Sequence, residues 1–520
     1  MSDIFRGYAA DYGEEVALCD EFGETTWAQF DDRTNRLVNA LRAAGLEAGD
    51  TFSLVSGNRR EAFEAMAAAS HGGWKFVPVN WHWVAEELAY VLVNSDSRAL
   101  LVDERFGDLA AETMARADAP ELALQLVFGG NAPDGFADYE AVLAAASPEE
   151  PADQKLGGPM FYTSGTTGRP KGVVSSLLSP DAPVAAMKLV GAAIIGMLGI
   201  PQRGTTLLEG PVYHSAQWAF SYLPMLGGNS VVMRHKFDAA EALELIDRHR
   251  ITNVHLVPTQ FIRLLEVDPT ARAEFEGSSL QLVLHGAAPC PPQIKRQMID
   301  WFGPIVTEYY GATEGAIISA IEAEDWLAKP GSLGKPLDHI EVIVVCEDGS
   351  RAGVGEEGQL YFRNNSGSDF EYHKDPDKTA AAHLEPGVFT FGDVGYVDED
   401  GHLFMSDRKI DMVISGGVNI YPAEIEGVLV GHPAVADAAV FGIPHAEMGE
   451  EVKAAVELAQ GCEPGAELAA ELIAHCREHL AGYKAPRSID FEAALPRHPT
   501  GKLYKRLLRD PYWAASGRRI

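Results

Sequence analysis

Three times in this chain a short apolar run of strand character breaks into residues with almost no side chain. Gly158-Pro-Met-Phe161 leads into Tyr162-Thr-Ser-Gly-Thr-Thr-Gly-Arg-Pro-Lys-Gly172. Leu280-Gln-Leu-Val-Leu284 ends in Gly286-Ala-Ala-Pro289, and Pro304-Ile-Val-Thr-Glu308 ends in Tyr310-Gly-Ala-Thr-Glu314. Helical and strand patterns alternate around these points, which predicts an α/β protein. In open α/β sheets ligands bind outside the carboxyl ends of strands, so the site is expected along that edge. Asp238 is expected to cap a helix with Glu241 as its capping-box partner, followed by a strand over 251–257.

The first loop is chemically the richest. It packs Gly165, Gly168 and Gly172 with the hydroxyls of Thr163, Ser164, Thr166 and Thr167 and the cations Arg169 and Lys171. Glycines let a backbone turn tightly and approach a ligand. Successive N–H groups with hydroxyls and an ammonium then cradle phosphate oxygens. It is not the ordinary P-loop, because Lys171 follows Pro170 and precedes Gly172 instead of standing between Gly and Ser or Thr.

At 520 residues the chain exceeds one ordinary core and should divide into domains. Its net charge of −33 argues against a nucleic-acid-binding surface and against anionic membranes. The apolar stretch Val184–Ile200 contains Lys188 and is short for a bilayer, so a buried helix or pocket wall is expected, not an integral membrane segment. Five scattered cysteines and the lack of an apolar signal core at the start lead us to expect a cytoplasmic protein. Nothing in the sequence sets an oligomeric state; a homodimer is the working expectation.

From about Ser332 to Met405 short strands with Gly and Asp turns predict a small β subdomain. After Ser406-Asp-Arg-Lys-Ile-Asp411 a compact α/β unit begins, with a helix led by Pro422 and a long helix from Ala466 to Leu480. We therefore expect a large N-terminal domain, residues 1–408, of α/β subdomains plus the small β subdomain. A small mobile α/β domain, residues 409–520, should follow. Arg497, Lys502, Lys505, Arg506 and Arg509 concentrate positive charge near the end. His475-Cys-Arg-Glu-His479 matches an inverted zinc-peptidase pattern. Leu468, Leu472, Cys476 and Leu480 should form the buried stripe of that helix, leaving both histidines on its polar side without a zinc role.

In this order and across residues 160–505 the segments resemble the adenylate-forming superfamily, and in particular its AMP-forming acyl-CoA synthetases. The resemblance implies an ATP and AMP site at Thr163, Ser164, Gly165, Thr166, Thr167, Gly168 and Lys171 of the phosphate loop. It adds the adenine-binding strand end Gly286, Ala287, Ala288, then Tyr310 and Gly311. Thr313 should hydrogen-bond the adenylate phosphate and Glu314 should bind Mg²⁺, which prefers a carboxylate with phosphate oxygens to an all-protein cage. Asp393 should accept both ribose hydroxyls, for which a carboxylate has the acceptors, and Arg408 should reach the same ribose. Lys502, in Pro496-Arg-His-Pro-Thr-Gly-Lys-Leu503, resembles the family's catalytic lysine, a cation able to neutralise charge in the transition state. Gly416 and Gly417 resemble the loop beside the coenzyme A tunnel, where only a residue without a side chain leaves a thiol channel. The position two residues after Arg408, usually Asp or Lys and the hinge of the domain rotation, is Ile410 here.

The acid itself is less legible. Tyr213, His214 and Trp218, with Phe220, Met187 and Val190 nearby, lie where relatives shape the acyl pocket. Amino-acid-activating relatives carry Asp at the position of His214, so an α-amino acid is not expected. A hydrophobic acid is, whether a medium- or long-chain fatty acid, an aryl acid or a steroid side-chain acid. Free coenzyme A is the expected acceptor. Competing readings are an enzyme loading a carrier protein, a light-emitting oxygenase, and a non-catalytic nucleotide-binding regulator.

Overall fold

A computed structural model describes residues 4–163, 170–176, 183–408, 411–415, 418–445, 448–480, 482–497 and 503–515. Its larger, N-terminal part is organised by two sheets. One has nine strands; its six inner strands are parallel and run in the order Val306–Ala312, Leu282–His285, Asn253–Leu256, Thr205–Leu208, Ser230–Met233 and Val16–Asp20. Antiparallel strands close both edges: Gly23–Thr26 on one side, Ala316–Ile321 and Lys335–Pro336 on the other. The second sheet has six parallel strands centred on Ser97–Asp103 and Thr51–Val55. The helix Arg60–Gly72 packs against both sheets and is buried along nearly its whole length. A single apolar cluster runs across this junction, with Trp27, Phe52, Phe63, Phe76, Trp218 and Tyr222 among its bulk.

Local chemistry sets the elements much as expected. The predicted strands appear as Asn253–Leu256, Leu282–His285 and Val306–Ala312. Asp238 caps the helix Ala239–Arg248 by accepting the N–H groups of Ala240 and Glu241 at 3.0 and 2.9 Å. The expected partner Glu241 turns elsewhere: its carboxylate takes Nε of Arg234 at 2.8 Å, a charged donor that outcompetes a backbone N–H. The stretch after Val184 forms the helix Ala185–Leu198, and it is only partly the buried element anticipated. Met187, Gly191, Ile195 and Leu198 face the core, whereas Leu189 is 73% exposed. Apart from Lys188 its composition is apolar on every side, so periodicity could not tell the two faces apart. Among the described residues no helix is long and apolar enough to cross a membrane.

The small β region is an antiparallel sheet whose strands include Ile340–Val345, Gly358–Asn364, Asp393–Val397 and Leu403–Arg408. The C-terminal part is a separate α/β body. Strands Val435–His445 and Gly449–Leu458 form a long antiparallel pair, joined in parallel by Ser488–Glu492. The helices Pro422–Val430, with Pro422 in its first turn, and Ala466–His479 cover this sheet. Its own core includes Val413, Ile425, Leu429, Val440, Leu472 and Cys476. All five cysteines are free.

Candidate nucleotide and acyl site

Gly286, Ala287 and Ala288 follow the carboxyl end of the parallel strand Leu282–His285, and Thr313 and Glu314 follow that of Val306–Ala312. Thr163, Lys171 and Asp393 stand on antiparallel strands. Strand Phe161–Thr163 pairs antiparallel with Lys171–Ser175, placing Thr163 opposite Lys171. The intervening phosphate-loop positions Ser164, Gly165, Thr166, Thr167 and Gly168 lie outside the described residues. On its other side Lys171–Ser175 pairs with Phe370–Tyr372. This puts the Lys171 ammonium 4.9 Å from the Tyr372 ring centroid, a cation–π distance. Burial first, and then the charge of Lys378, lower the Lys171 pKa, while Asp375 and Glu314 oppose the shift. The Tyr372 hydroxyl donates to Oε1 of Glu314 at 3.2 Å. Lys171 and Glu314, distant in sequence, thus share one tyrosine.

The strand Val306–Ala312 carries the next group. Its register shifts between Tyr310 and Gly311, a bulge that re-aims the residues beyond it. Tyr310 donates its hydroxyl to Oδ2 of Asp393 at 2.5 Å, linking the nine-stranded sheet to the small β sheet. Asp393 stands opposite Arg408 in the ladder between Asp393–Val397 and Leu403–Arg408. The side chain of Arg408 lies outside the described residues. Thr313 Oγ1 is 2.7 Å from Oγ of Ser215, the first residue of the helix Ser215–Met225.

Gly286 is buried against Tyr309: a Cβ there would sit 2.6 Å from the ring and 2.7 Å from the Tyr309 carbonyl oxygen. Ala287 follows in the left-handed region at φ 65°, and Ala287 is exposed while Ala288 is half-buried. At Gly286 the neighbouring strand leaves no room for a side chain.

The expected acyl-pocket residues sit at the start of Ser215–Met225. His214 caps that helix, its Nδ1 accepting the Ala216 N–H at 3.3 Å. Tyr213 meets Trp81 edge-on at 4.7 Å, and burial raises its phenol pKa. Trp218 stacks on Tyr222 at 5.7 Å and meets Phe161 edge-on, inside the main core. Below this helix runs a buried chain not foreseen from the sequence. Gln217 Nε2 donates to Nδ1 of His255 at 2.9 Å, and His255 Nε2 reaches the Tyr309 hydroxyl at 3.1 Å. Burial pushes the His255 pKa down to about 3, keeping the ring neutral. Also unforeseen is Glu209, just beyond the strand Thr205–Leu208. It is 3% exposed, and among the described residues neither carboxyl oxygen has a hydrogen-bond partner. Burial, with the nearby Glu241 carboxylate, raises its pKa to about 9.

Glu314 offers one carboxylate to a divalent cation. The described residues place no group of three His, Cys, Asp or Glu ligands there. Such an ion would take its other ligands from phosphate oxygens and water, the habit of Mg²⁺.

Lys502, Gly416, Gly417 and Ile410 lie outside the described residues. The rest of the basic cluster is not uniformly available to an anion. Arg497 makes a two-pronged ion pair with Asp437 at 2.7 Å, and Lys505 pairs with Glu426 at 2.8 Å. These cations hold the C-terminal body together, because each carboxylate belongs to the same body. Ser215, Tyr372, Gln217 and His255 were missed for a common reason: their partners are far away in sequence, and no spacing rule connects them.

The AMP-binding enzyme family model matches residues 5–368, and the model of the AMP-binding enzyme C-terminal domain matches residues 424–502. A fatty acid–[acyl-carrier-protein] ligase, ScoC, from Streptomyces coeruleorubidus is 31% identical, covering 97% of this chain and 95% of its own. A feruloyl-CoA synthase from Amycolatopsis sp is 33% identical, covering 92% of each. The o-succinylbenzoate CoA synthetase of Bacillus subtilis, solved with its acyl-adenylate OSB-AMP, superimposes with a TM-score of 0.82. It is 28% identical, and the match covers 98% of each chain.

Proposed function

Since the chain belongs to the AMP-binding, adenylate-forming enzymes, an AMP-forming acid–thiol ligase family, we propose that it activates a hydrophobic carboxylic acid and passes it to coenzyme A. The acid's carboxylate attacks the α-phosphorus of ATP, pyrophosphate leaves, and an acyl-adenylate remains. The thiol of coenzyme A then attacks the acyl carbonyl and AMP departs. The observation that carries this reading is the convergence of Lys171, Glu314, Thr313 and Asp393. Each is held by a partner from another element or paired through one.

In this reading Thr163, Lys171 and the loop between them hold the phosphates, and Gly286 to Ala288 carry the adenine. Asp393, oriented by the Tyr310 hydroxyl, accepts the ribose hydroxyls with Arg408 beside it. Thr313, steered by Ser215, donates to the adenylate phosphate. Glu314, kept in place by Tyr372, would hold Mg²⁺, which lowers the charge of the phosphates. Lys502 orients the attacking carboxylate and offsets the charge that builds on the α-phosphate. Gly416 and Gly417 border the thiol channel. The division at residues 408 and 409 separates the nucleotide site from these last residues, and rotation of the C-terminal body would exchange them. Five free cysteines fit a reducing cytoplasm.

The acid is hydrophobic and lacks an α-amine, because His214 stands where an ammonium would need a carboxylate. A medium- or long-chain fatty acid is the first choice, with aryl and steroid side-chain acids next. A carrier-protein acceptor is the second reading, favoured by the 31% identity to ScoC. A panel of acids assayed for pyrophosphate release, with coenzyme A, with a phosphopantetheinyl carrier protein and with neither, tests all of this. Each buried methylene contributes up to about 0.8 kcal/mol, so octanoate should greatly exceed acetate in kcat/KM. Acetate or an amino acid outperforming both octanoate and the aryl acids would overturn the hydrophobic assignment. Thioester on the carrier protein but not on coenzyme A would replace the acceptor.

A further inference from the structure

On the polar face of the helix Ala466–His479 three potential ligands meet. His475, Glu478 and His479 occupy its last turn, and each offers one ligand atom within 4.8 Å of the others. We infer that these three residues form a binding site for a borderline divalent transition cation, Zn²⁺ being the best fit. The sequence pattern alone gave no zinc role to these histidines; the hydrogen bonds around them change that.

Those bonds fix the state of both rings. His479 Nδ1 lies 2.9 Å from the carbonyl oxygen of His475. His475 Nε2 lies 3.3 Å from the carbonyl oxygen of Val428 on the neighbouring helix. A carbonyl oxygen only accepts, so each of those nitrogens carries the proton. The lone pairs are therefore left on Nε2 of His479 and Nδ1 of His475. A ring whose one N–H is anchored to a backbone carbonyl is the usual condition of a metal-binding histidine, since the anchor selects the tautomer and aims the other nitrogen.

Spacing and field agree with this. Residues four apart share one helix face, and the two rings have centroids 4.4 Å apart. The end of a helix carries partial negative charge, which favours a cation in its last turn. Leu472 and Cys476 take the opposite side into the core, so the ligand face cannot turn inward. His432, whose ring is 5.1 Å from that of His475, is already engaged. Its Nδ1 accepts the Ala434 N–H at 3.2 Å, and its Nε2 is 3.3 Å from Glu471. The site thus has three protein ligands with water completing a tetrahedron. Two imidazoles and a carboxylate select Zn²⁺, Cu²⁺ or Ni²⁺ over Mg²⁺. Zinc–nitrogen bonds of about 2.0–2.1 Å require the ligand atoms to draw closer, and the exposed Glu478 side chain can swing toward the two rings without disturbing either ring's anchor.

The test uses the full-length protein, stripped of metal by a chelator and dialysed. Zn²⁺ titrated by calorimetry should bind, and Co²⁺ should give visible absorption from the same site. His475→Ala/His479→Ala should lose one equivalent of Zn²⁺ per chain and the Co²⁺ spectrum. Zn²⁺ should raise Tm in the wild type and not in the double variant. The exposed His479→Gln alone, which leaves the packing untouched, should weaken Zn²⁺ binding by about tenfold or more, the loss of one ligand of three. Unchanged stoichiometry in both variants, equal competition by Mg²⁺, or no wild-type binding at micromolar Zn²⁺ would each overturn the assignment.

Discussion

The two parts of this molecule tie their polar side chains in different ways. In the N-terminal part the candidate residues are tied across elements: Tyr310 to Asp393, Ser215 to Thr313, Tyr372 to Glu314. Those bonds cross 83, 98 and 58 positions of sequence, so the site is fixed by the packing of the sheets. In the C-terminal part the described ion pairs stay within one body, Arg497 with Asp437 and Lys505 with Glu426. Lys502, Gly416 and Gly417 lie outside the described residues. The contrast separates what must stay constant through the proposed two-step reaction from what must change between the steps. In the proposed reaction the nucleotide is present throughout and needs a rigid frame. In the proposed cycle the lysine and the glycines serve one step each and ride on a body with its own core.

The largest effect should therefore fall on one half-reaction alone. Lys502→Ala is expected to lower acid-dependent pyrophosphate release by about 10²–10³, the loss typical of one transition-state donor. Conversion of a supplied acyl-adenylate and coenzyme A to thioester should be unchanged. Equal losses in both assays would erase the division of labour.

A replacement in the frame should instead act on both steps. Asp393→Ala removes a charged acceptor, a loss of roughly tenfold to a hundredfold. The KM for ATP in the first half-reaction and for the acyl-adenylate in the second should rise by similar factors. A defect confined to one of them would mean that the ribose contact is not common to both states.

The smallest effect concerns stability. Glu209 has a folded-state pKa of about 9, above its ordinary value of 4.5. Between those values the folded chain therefore holds a proton that the unfolded chain releases. The stability linked to that proton is fully present below the ordinary value and is lost as pH rises toward the folded one. Glu209→Gln removes that dependence. Its Tm should match the wild type in mild acid and exceed it by a few degrees in mild alkali. A Tm difference that does not change with pH would show that Glu209 is ionised and paired in solution.

The frame was more legible in the sequence than its internal wiring. Strand positions could be read because apolar runs end in Gly, Ala and Pro, and Asp238 and Pro422 mark helix starts by local chemistry. The family loops stood out because their small residues and hydroxyls are consecutive. The partners that aim those residues did not, since Tyr372 carries no mark that it will meet Glu314. Glu209 reads as an ordinary surface acid until the sheet buries it. The helix Ala185–Leu198 shows the reverse limit, since near-uniform apolarity hides which face is exposed.

Gly286 sets a dimension of the site by what it lacks. An added methyl would press on the Tyr309 carbonyl oxygen, which is backbone and has no rotamer in which to retreat. The neighbouring strand would have to move away, and with it Tyr310, Thr313 and Glu314, which continue from Tyr309 along the chain. The gap between the bare edge at Gly286 and the polar groups after Tyr309 is therefore gauged by one missing carbon. In the proposed function a nucleotide laid along that edge would meet a spacing set by the Tyr309 ring and carbonyl against a bare backbone.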